Sequence, residues 1–422
     1  MALYAVDPEA LSADDLINDL GRTIAERYAL AEDELIREIA LRAYRDVDLQ
    51  AVLATATAAD RAGYQYAIDR GRALANLAGH RAQALRELQA VALQVAGRIR
   101  DEGLAEDLIN TATTRGEAEA AARLGMARRI PTFTTLNGSS TQATAQLALS
   151  LQSKLETLNQ RITRYPADAY QRIVSLTSPN VLLGVQTQVL AQRTTVQRFL
   201  TEGITGFTDV SGRDWRIGTY AEMAGRTSVA RAFNDAGIWR MQQSDVNLVT
   251  VQGSLSSCDK CAPWVGKILS TDGTTGTVTL PHATDDSMVT IVTEGTLDGA
   301  RNAGLFHPNC SHKATAYLPG LSIPQADFKY DEAADLARER QREIEVQIRS
   351  AKRTLATSGD PVTAQRAKRK IAAKQAQLRD HLDATGRKRA SYREQLHFAD
   401  GGQVASSAGI RPRAAPAQLA SA

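Results

Sequence analysis

The stretch LANLAGHRAQALRELQAVALQVAGRI, residues 74–99, decides the fold class. Its apolar positions Leu74, Leu77, Leu85, Leu88, Val95 and Ile99 stand at spacings of three, four and their sums, the period of one helical face. The residues between them are mostly Arg, Glu, Gln and Ala, which suit a solvated face. Upstream, Leu16, Leu20, Ile24 and Tyr28 recur every four residues, with Ser12 available as an N-cap. Residues 1–130 are therefore expected to form a helical bundle. Downstream, PTFTTLNGSSTQ at 131–142 breaks the pattern, and Pro131 and Asn137-Gly138 mark a turn. Periodicity resumes at Leu147, Leu151, Leu155, Leu158 and Ile162, so 131–206 is a helical region or linker. Pro166 begins or kinks the next helix. Ser178-Pro179-Asn180 marks a further break, and a helix through Val185, Val189, Val196 and Leu200 leads into Gly203 and Gly206.

Composition agrees with a mainly α chain. Of 422 residues, 43% are apolar and only 5% aromatic, which favours helices over an all-β fold. The length allows two to four domains. The net charge of +3 is too small to imply a nucleic-acid partner by itself. Met1 to Asp15 lacks the basic and apolar regions of a secretory signal. The uncharged stretch 173–192 holds Ser, Asn, Gln and Pro179, so it suits buried helix or loop and no membrane span is expected.

The texture changes at 207–320, where all three Trp and all three Cys fall. A helix is expected over 215–242 and strands over 246–251 and 265–269. The Thr-, Val- and Gly-rich residues 274–296 suit a β-hairpin. Together these make a small α+β domain. On its helix, Trp215, Tyr220, Met223 and Thr227 suit a core flank. Residues 321–400 return to helix, in two stripes: Leu336, Ile344, Ile348, Ala351 and Leu355, then Ala367, Ile371, Leu378 and Leu382. Between them Gly359 suits a left-handed C′ position, Asp360 a cap and Pro361 a first helical turn. The pair is a helical hairpin, followed by a tail at 401–422 whose composition suggests disorder.

Chemistry concentrates in two places. Cys258-Asp-Lys-Cys261 and His307-Pro-Asn-Cys310-Ser-His312 hold every cysteine of the chain. Zinc favours four N and S ligands in a tetrahedron. Cys258, Cys261 and Cys310 suit thiolate ligands, with His312 or His307 as the fourth, and such a closed site leaves no position for water and is structural. The alternative is reduced thiols and histidines packed in a small core. Glu294 and Asp298 are the nearest carboxylates in sequence. No P-loop, GxSxG, HExxH or dinucleotide fingerprint occurs. The second place is the hairpin, where residues 349–393 carry 13 Lys and Arg against 3 Asp. Lys352 and Arg353, Arg366, Lys368, Arg369 and Lys370, and Arg387, Lys388 and Arg389 are candidate phosphate contacts. A solvated surface or an acidic protein neighbour is the alternative.

Three segments together, Tyr220-Ala-Glu-Met223-Ala-Gly-Arg226-Thr227, Ser257-Cys258-Asp-Lys-Cys261-Ala-Pro-Trp264-Val-Gly266-Lys267 and Gly304-Leu-Phe306-His307-Pro308-Asn309-Cys310-Ser-His312, resemble the minor capsid protein 2 family of tailed phages, related to the MuF-like head morphogenesis proteins. The resemblance covers about 215–320 closely, and the hairpin after it looks like an individual extension. It implies a non-enzymatic minor head protein of the virion, assembled in the host cytoplasm. The portal protein and major capsid protein are its implied partners, with packaged double-stranded DNA as a further one. Cys258, Cys261, His307, Cys310 and His312 all match the family's pattern. The competing reading is a metal-dependent hydrolase or effector carried in the phage head, using the same cluster with one open coordination position.

Overall fold

The computed structural model describes residues 13–58, 64–100, 103–125, 141–178, 189–200, 207–208, 214–252, 257–310, 312–324 and 330–396. Ser12, Pro131, the Asn137-Gly138 turn, the 179–180 break, Val185, Gly203, Gly206 and the 401–422 tail lie outside them. The helices are α1 (Ala13–Ala58), α2 (Tyr64–Ile99), α3 (Leu104–Leu124), α4 (Thr141–Thr177), α5 (Val189–Arg198), α6 (Ile217–Gln242), α7 (Leu297–Asn302), α8 (Glu332–Ala356) and α9 (Pro361–Thr385). Ahead of α6 the short strands β1 (Phe207–Thr208) and β2 (Asp214–Trp215) pair antiparallel, so Trp215 lies in a strand and not on the helix. The mainly α architecture with a small strand-bearing region matches the sequence expectation. No helix among the described residues is long and apolar enough to cross a membrane.

Two compact units interleave along the chain rather than following one another. The first takes its described residues from 1–25, 101–155 and 220–339, the second from 26–100, 156–219 and 340–422.

The first unit is built on a four-stranded sheet. Its strands β3 (Leu248–Gln252), β4 (Ile268–Ser270), β7 (Gly295–Thr296) and β8 (Lys313–Ala316) lie in the order β7-β4-β3-β8. β3 is antiparallel to both β4 and β8, and β4 is parallel to β7. Side chains alternate along a strand. Val249 and Val251 accordingly join Ile238 and Met241 of α6 and Ala120 and Leu124 of α3 in one core cluster. Leu248 falls instead with Ile268, Tyr317 and Ile291. Ile291 belongs to the hairpin of β5 (Gly276–Pro281) and β6 (Met288–Thr293), which forms within the stretch where the composition predicts it. Both faces of β3 are thus covered, which is why its sequence runs apolar without a solvent-facing alternation. α3 and α6 approach closely at Gly116, where an added Cβ would stand 2.1 Å from the Phe233 carbonyl oxygen.

The second unit is helical. Ile36, Ile39, Ala43 and Val47 of α1 pack with Leu88 of α2, Tyr170 and Ile173 of α4 and Val196 of α5. Within it Asp46, 1% exposed, accepts hydrogen bonds from Arg81 Nε at 2.7 Å and Tyr170 Oη at 3.2 Å. Pro166 neither begins nor ends a helix; it lies inside the continuous α4. A proline in a helix interior costs about 3 kcal/mol. Ile162, Tyr170 and Ile173, each at most 2% exposed, flank it on the same helix, and burying each is worth about 1.5–3 kcal/mol.

The α8–α9 hairpin closes over Ile344, Ile348, Leu378 and Leu382. Leu336, by contrast, is exposed. Asp360 caps α9, its Oδ1 accepting from the Thr363 N–H at 2.8 Å, with Pro361 in the first turn. Gly359 differs from expectation: it is not among the residues with positive φ. Glycine is needed there because a Cβ would lie 2.6 Å from the Tyr44 ring. Asp360→Ala is expected to cost about 1 kcal/mol in denaturant titration. The Thr363 bonds hold the Asp360 carboxyl below its usual range. Its contribution is therefore complete above the unfolded-state pKa and is lost as pH falls through the lowered folded one.

Candidate metal centre

Strand register brings the two Cys/His segments together. β3 and β8 are antiparallel with Gln252 opposite Lys313. The chain leaving β3 therefore reaches Cys258 and Cys261 at the same end of the sheet where His312 enters β8.

Each segment has its own local device. After Cys258 the chain turns tightly, its carbonyl accepting from the N–H groups of Cys261 at 3.2 Å and Ala262 at 2.9 Å. A 3₁₀ turn over Ala262–Trp264 follows. In the other segment the Cys310 N–H donates to the His307 carbonyl at 2.9 Å. Asn309 between them has φ of 69°. Proline followed by a left-handed residue, closed by that bond, is a type II turn. Asn tolerates the left-handed region better than most residues, which accounts for the Pro308-Asn309 pair.

Two side chains of α6 tie this loop to the helix. Thr227 Oγ1 accepts from the Asn309 N–H at 3.1 Å. Asn234, 3% exposed, donates to the His312 carbonyl at 3.2 Å and accepts from the Ala314 N–H at 2.8 Å. Sequence reasoning placed Thr227 on a core flank; it is half-buried and works as a strap. Nothing in the spacing of α6 singles out Asn234.

The five donors form two triads that share Cys261: Cys258, Cys261 and His307, and Cys261, Cys310 and His312, each with ligand atoms within 4.8 Å of one another. The Sγ atoms of Cys261 and Cys310 are 3.6 Å apart. Two thiolates bound to one tetrahedral zinc at about 2.3 Å stand about 3.8 Å apart, so this pair needs almost no movement to share an ion. Cys258 Sγ lies 3.0 Å from His307 Nε2, and Cys310 Sγ lies 3.1 Å from His312 Nδ1. The outer nitrogen of each imidazole is anchored. His307 Nδ1 is 2.8 Å from the Pro308 carbonyl oxygen, and His312 Nε2 is 2.7 Å from Ser257 Oγ. Such outer contacts orient metal-binding histidines.

Cys261 is fully buried and Cys310 and His312 are 7% exposed. Hydrogen bonding within the Cys261–Cys310 pair pushes the Cys261 thiol up and holds Cys310 down. Cys258 is pushed up by burial. Hydrogen bonding toward the Cys261 sulfur raises His307. The group can bind a metal ion. Glu294 is committed elsewhere, its Oε2 accepting from the Ile268 N–H at 2.7 Å and its Oε1 from Lys267 Nζ at 2.9 Å. Asp298 sits in the first turn of α7.

The basic residues separate by burial. Lys352 and Arg353 are 4% and 6% exposed. Arg353 donates from Nε and Nη2 to Asp33 Oδ1, at 3.1 and 2.9 Å. Burial pushes the Lys352 ammonium below its ordinary value. Both are buried, which the sequence did not show: hairpin position alone does not separate a buried cation from an exposed one. Arg389 is bound by both oxygens of Glu394, and Arg387 donates to Gln341 Oε1 at 2.7 Å. Arg366, Lys368, Arg369, Lys370 and Lys388 are exposed.

A family model described as phage minor capsid protein 2 matches residues 13–383. The match reaches well beyond 215–320 and takes in most of the basic hairpin, which is therefore not an individual extension. No curated protein and no solved structure matches the chain.

Proposed function

Because the chain belongs to the phage minor capsid protein 2 family, we propose that it is a non-enzymatic minor component of a tailed-phage head that contacts the portal protein and the major capsid protein, with a structural zinc ion in its Cys/His cluster. The match over 13–383 carries the head reading. Quantitative mass spectrometry of purified virions and proheads tests it. The expected result is a few copies per particle in a constant ratio to portal protein. Absence from both particles overturns it.

For zinc, the donor set supports Cys258, Cys261 and Cys310 as thiolate ligands and His307 as the fourth. Cys258-x2-Cys261 and His307-x2-Cys310 then form two knuckles of equal spacing. A backbone carbonyl beside His307 Nδ1 favours the tautomer that leaves Nε2 free to ligate. Bound there, zinc would cross-link the chain after β3 to the loop before β8. Three thiolates and one imidazole fill a tetrahedral site and leave no position for reacting water. The native chain is expected to hold one zinc. His307→Ala should lose it, while His312→Ala should keep it at reduced stability. The reverse pattern transfers the ligand role to His312, and a native chain purified without chelator that holds no metal overturns the zinc reading.

A further inference from the structure

The hairpin's cations have two fates, and the exposed ones fall together. On α9 the buried residues Ala367, Ile371, Leu378 and Leu382 define the inner face. At about 100° per residue, Arg366, Arg369 and Lys370 lie within about 100° of arc on the opposite side. Lys368 lies about 100° away from that arc, at the edge of the inner face. All four are exposed and make no ion pair with any described residue. No carboxylate falls between Pro361 and Arg379. These charges are thus left uncompensated, unlike Arg353 and Arg389 of the same hairpin, which pair with Asp33 and Glu394.

We propose that the outer face of the first half of α9, carried by Arg366, Arg369 and Lys370, binds the phosphate backbone of double-stranded DNA without reading its sequence. Arg366 and Lys370 are about 6 Å apart along the axis. A duplex offers one phosphate charge per about 1.7 Å of axis, so each cation of the row finds its own phosphate. The face carries no aromatic residue. A protein partner would call for aromatic anchors and few lysines at the contact, and single-stranded nucleic acid for stacking platforms. Phosphate binding needs only the charges present.

This inference adds a partner to the head reading and is tested apart from it, with purified full-length chain and a short random-sequence duplex. Binding is measured by fluorescence anisotropy between about 50 and 200 mM salt. Arg366→Gln/Arg369→Gln/Lys370→Gln is compared with Arg70→Gln/Arg72→Gln/Arg86→Gln, which removes the same charge from exposed positions of α2. The α9 triple is expected to bind at least tenfold more weakly at low salt. Its plot of log affinity against log salt should be shallower by about 2.7, the slope carried by three phosphate contacts. The α2 triple should match the native chain. Equal loss in both triples, unchanged binding in the α9 triple, or no binding by the native chain at low salt overturns the proposal. None of these outcomes touches the head reading, which rests on particle composition.

Discussion

Cys261→Ser is expected to strip the metal from the protein and to unfold the sheet that carries the site. Cys261 is the donor common to both triads and is fully buried. No rearrangement of the other four residues restores three sulfurs around one ion. Structural zinc contributes about 10–16 kcal/mol of apparent binding free energy in small domains, more than the whole stability of most domains. If the cysteines were only packed thiols, the same substitution would cost about 0.5–3 kcal/mol. That gap decides between the readings. Metal analysis of the purified variant and hydrogen exchange of the β3 and β8 amides check it. Metal below a tenth of the native content, with exchange at Val249, Val251 and Thr315 rising to the rate of open chain, is the expected outcome. Full protection in the variant would mean that packing alone holds the sheet. A chelator applied to the native chain should reproduce the variant.

The Cys/His cluster was legible because ligand chemistry is concentrated in few residue types, and every cysteine lay in two short segments. Sequence did not show how they meet. That depends on the pairing of Gln252 with Lys313, a contact between residues far apart in the chain. The straps from Thr227 and Asn234 were hidden for the same reason, since a side chain bonding to a distant backbone leaves no local period. Helices were legible as stripes, and the stripe of α9 was buried as expected. Their assembly was not, because the compact units draw on separated segments and helical periodicity carries no information about partner. Gly359 shows the limit at a single residue. Local chain rules suggested a left-handed cap, but the reason for glycine is the Tyr44 ring, which only the folded chain supplies.

Arg353→Gln is expected to destabilise the second unit by about 3–5 kcal/mol, the usual result of removing one partner from a buried ion pair. The Arg353 and Asp33 side chains are both buried, and Glu32, buried as well, has an oxygen 3.9 Å from the guanidinium. Loss of the cation would leave two carboxylates in an apolar setting, and the hydroxyl of the buried Tyr165 beside them offers no positive charge in return. At roughly 2–4 °C per kcal/mol for a domain of this size, thermal melting should fall by about 6–20 °C. Arg366→Gln, in the same hairpin with the same formal charge change, should stay within about 0.5 kcal/mol, since its side chain is exposed. Arg353→Met combined with Asp33→Leu should recover part of the loss by removing one uncompensated carboxylate along with the cation, giving a coupling energy of about 0.5–3 kcal/mol. Equal melting of Arg353→Gln and Arg366→Gln would contradict the division of the hairpin's cations into those that hold the fold and those left for a partner. Burial, not position in the basic run, makes that division, so stability and DNA affinity should respond to different members of one charge cluster.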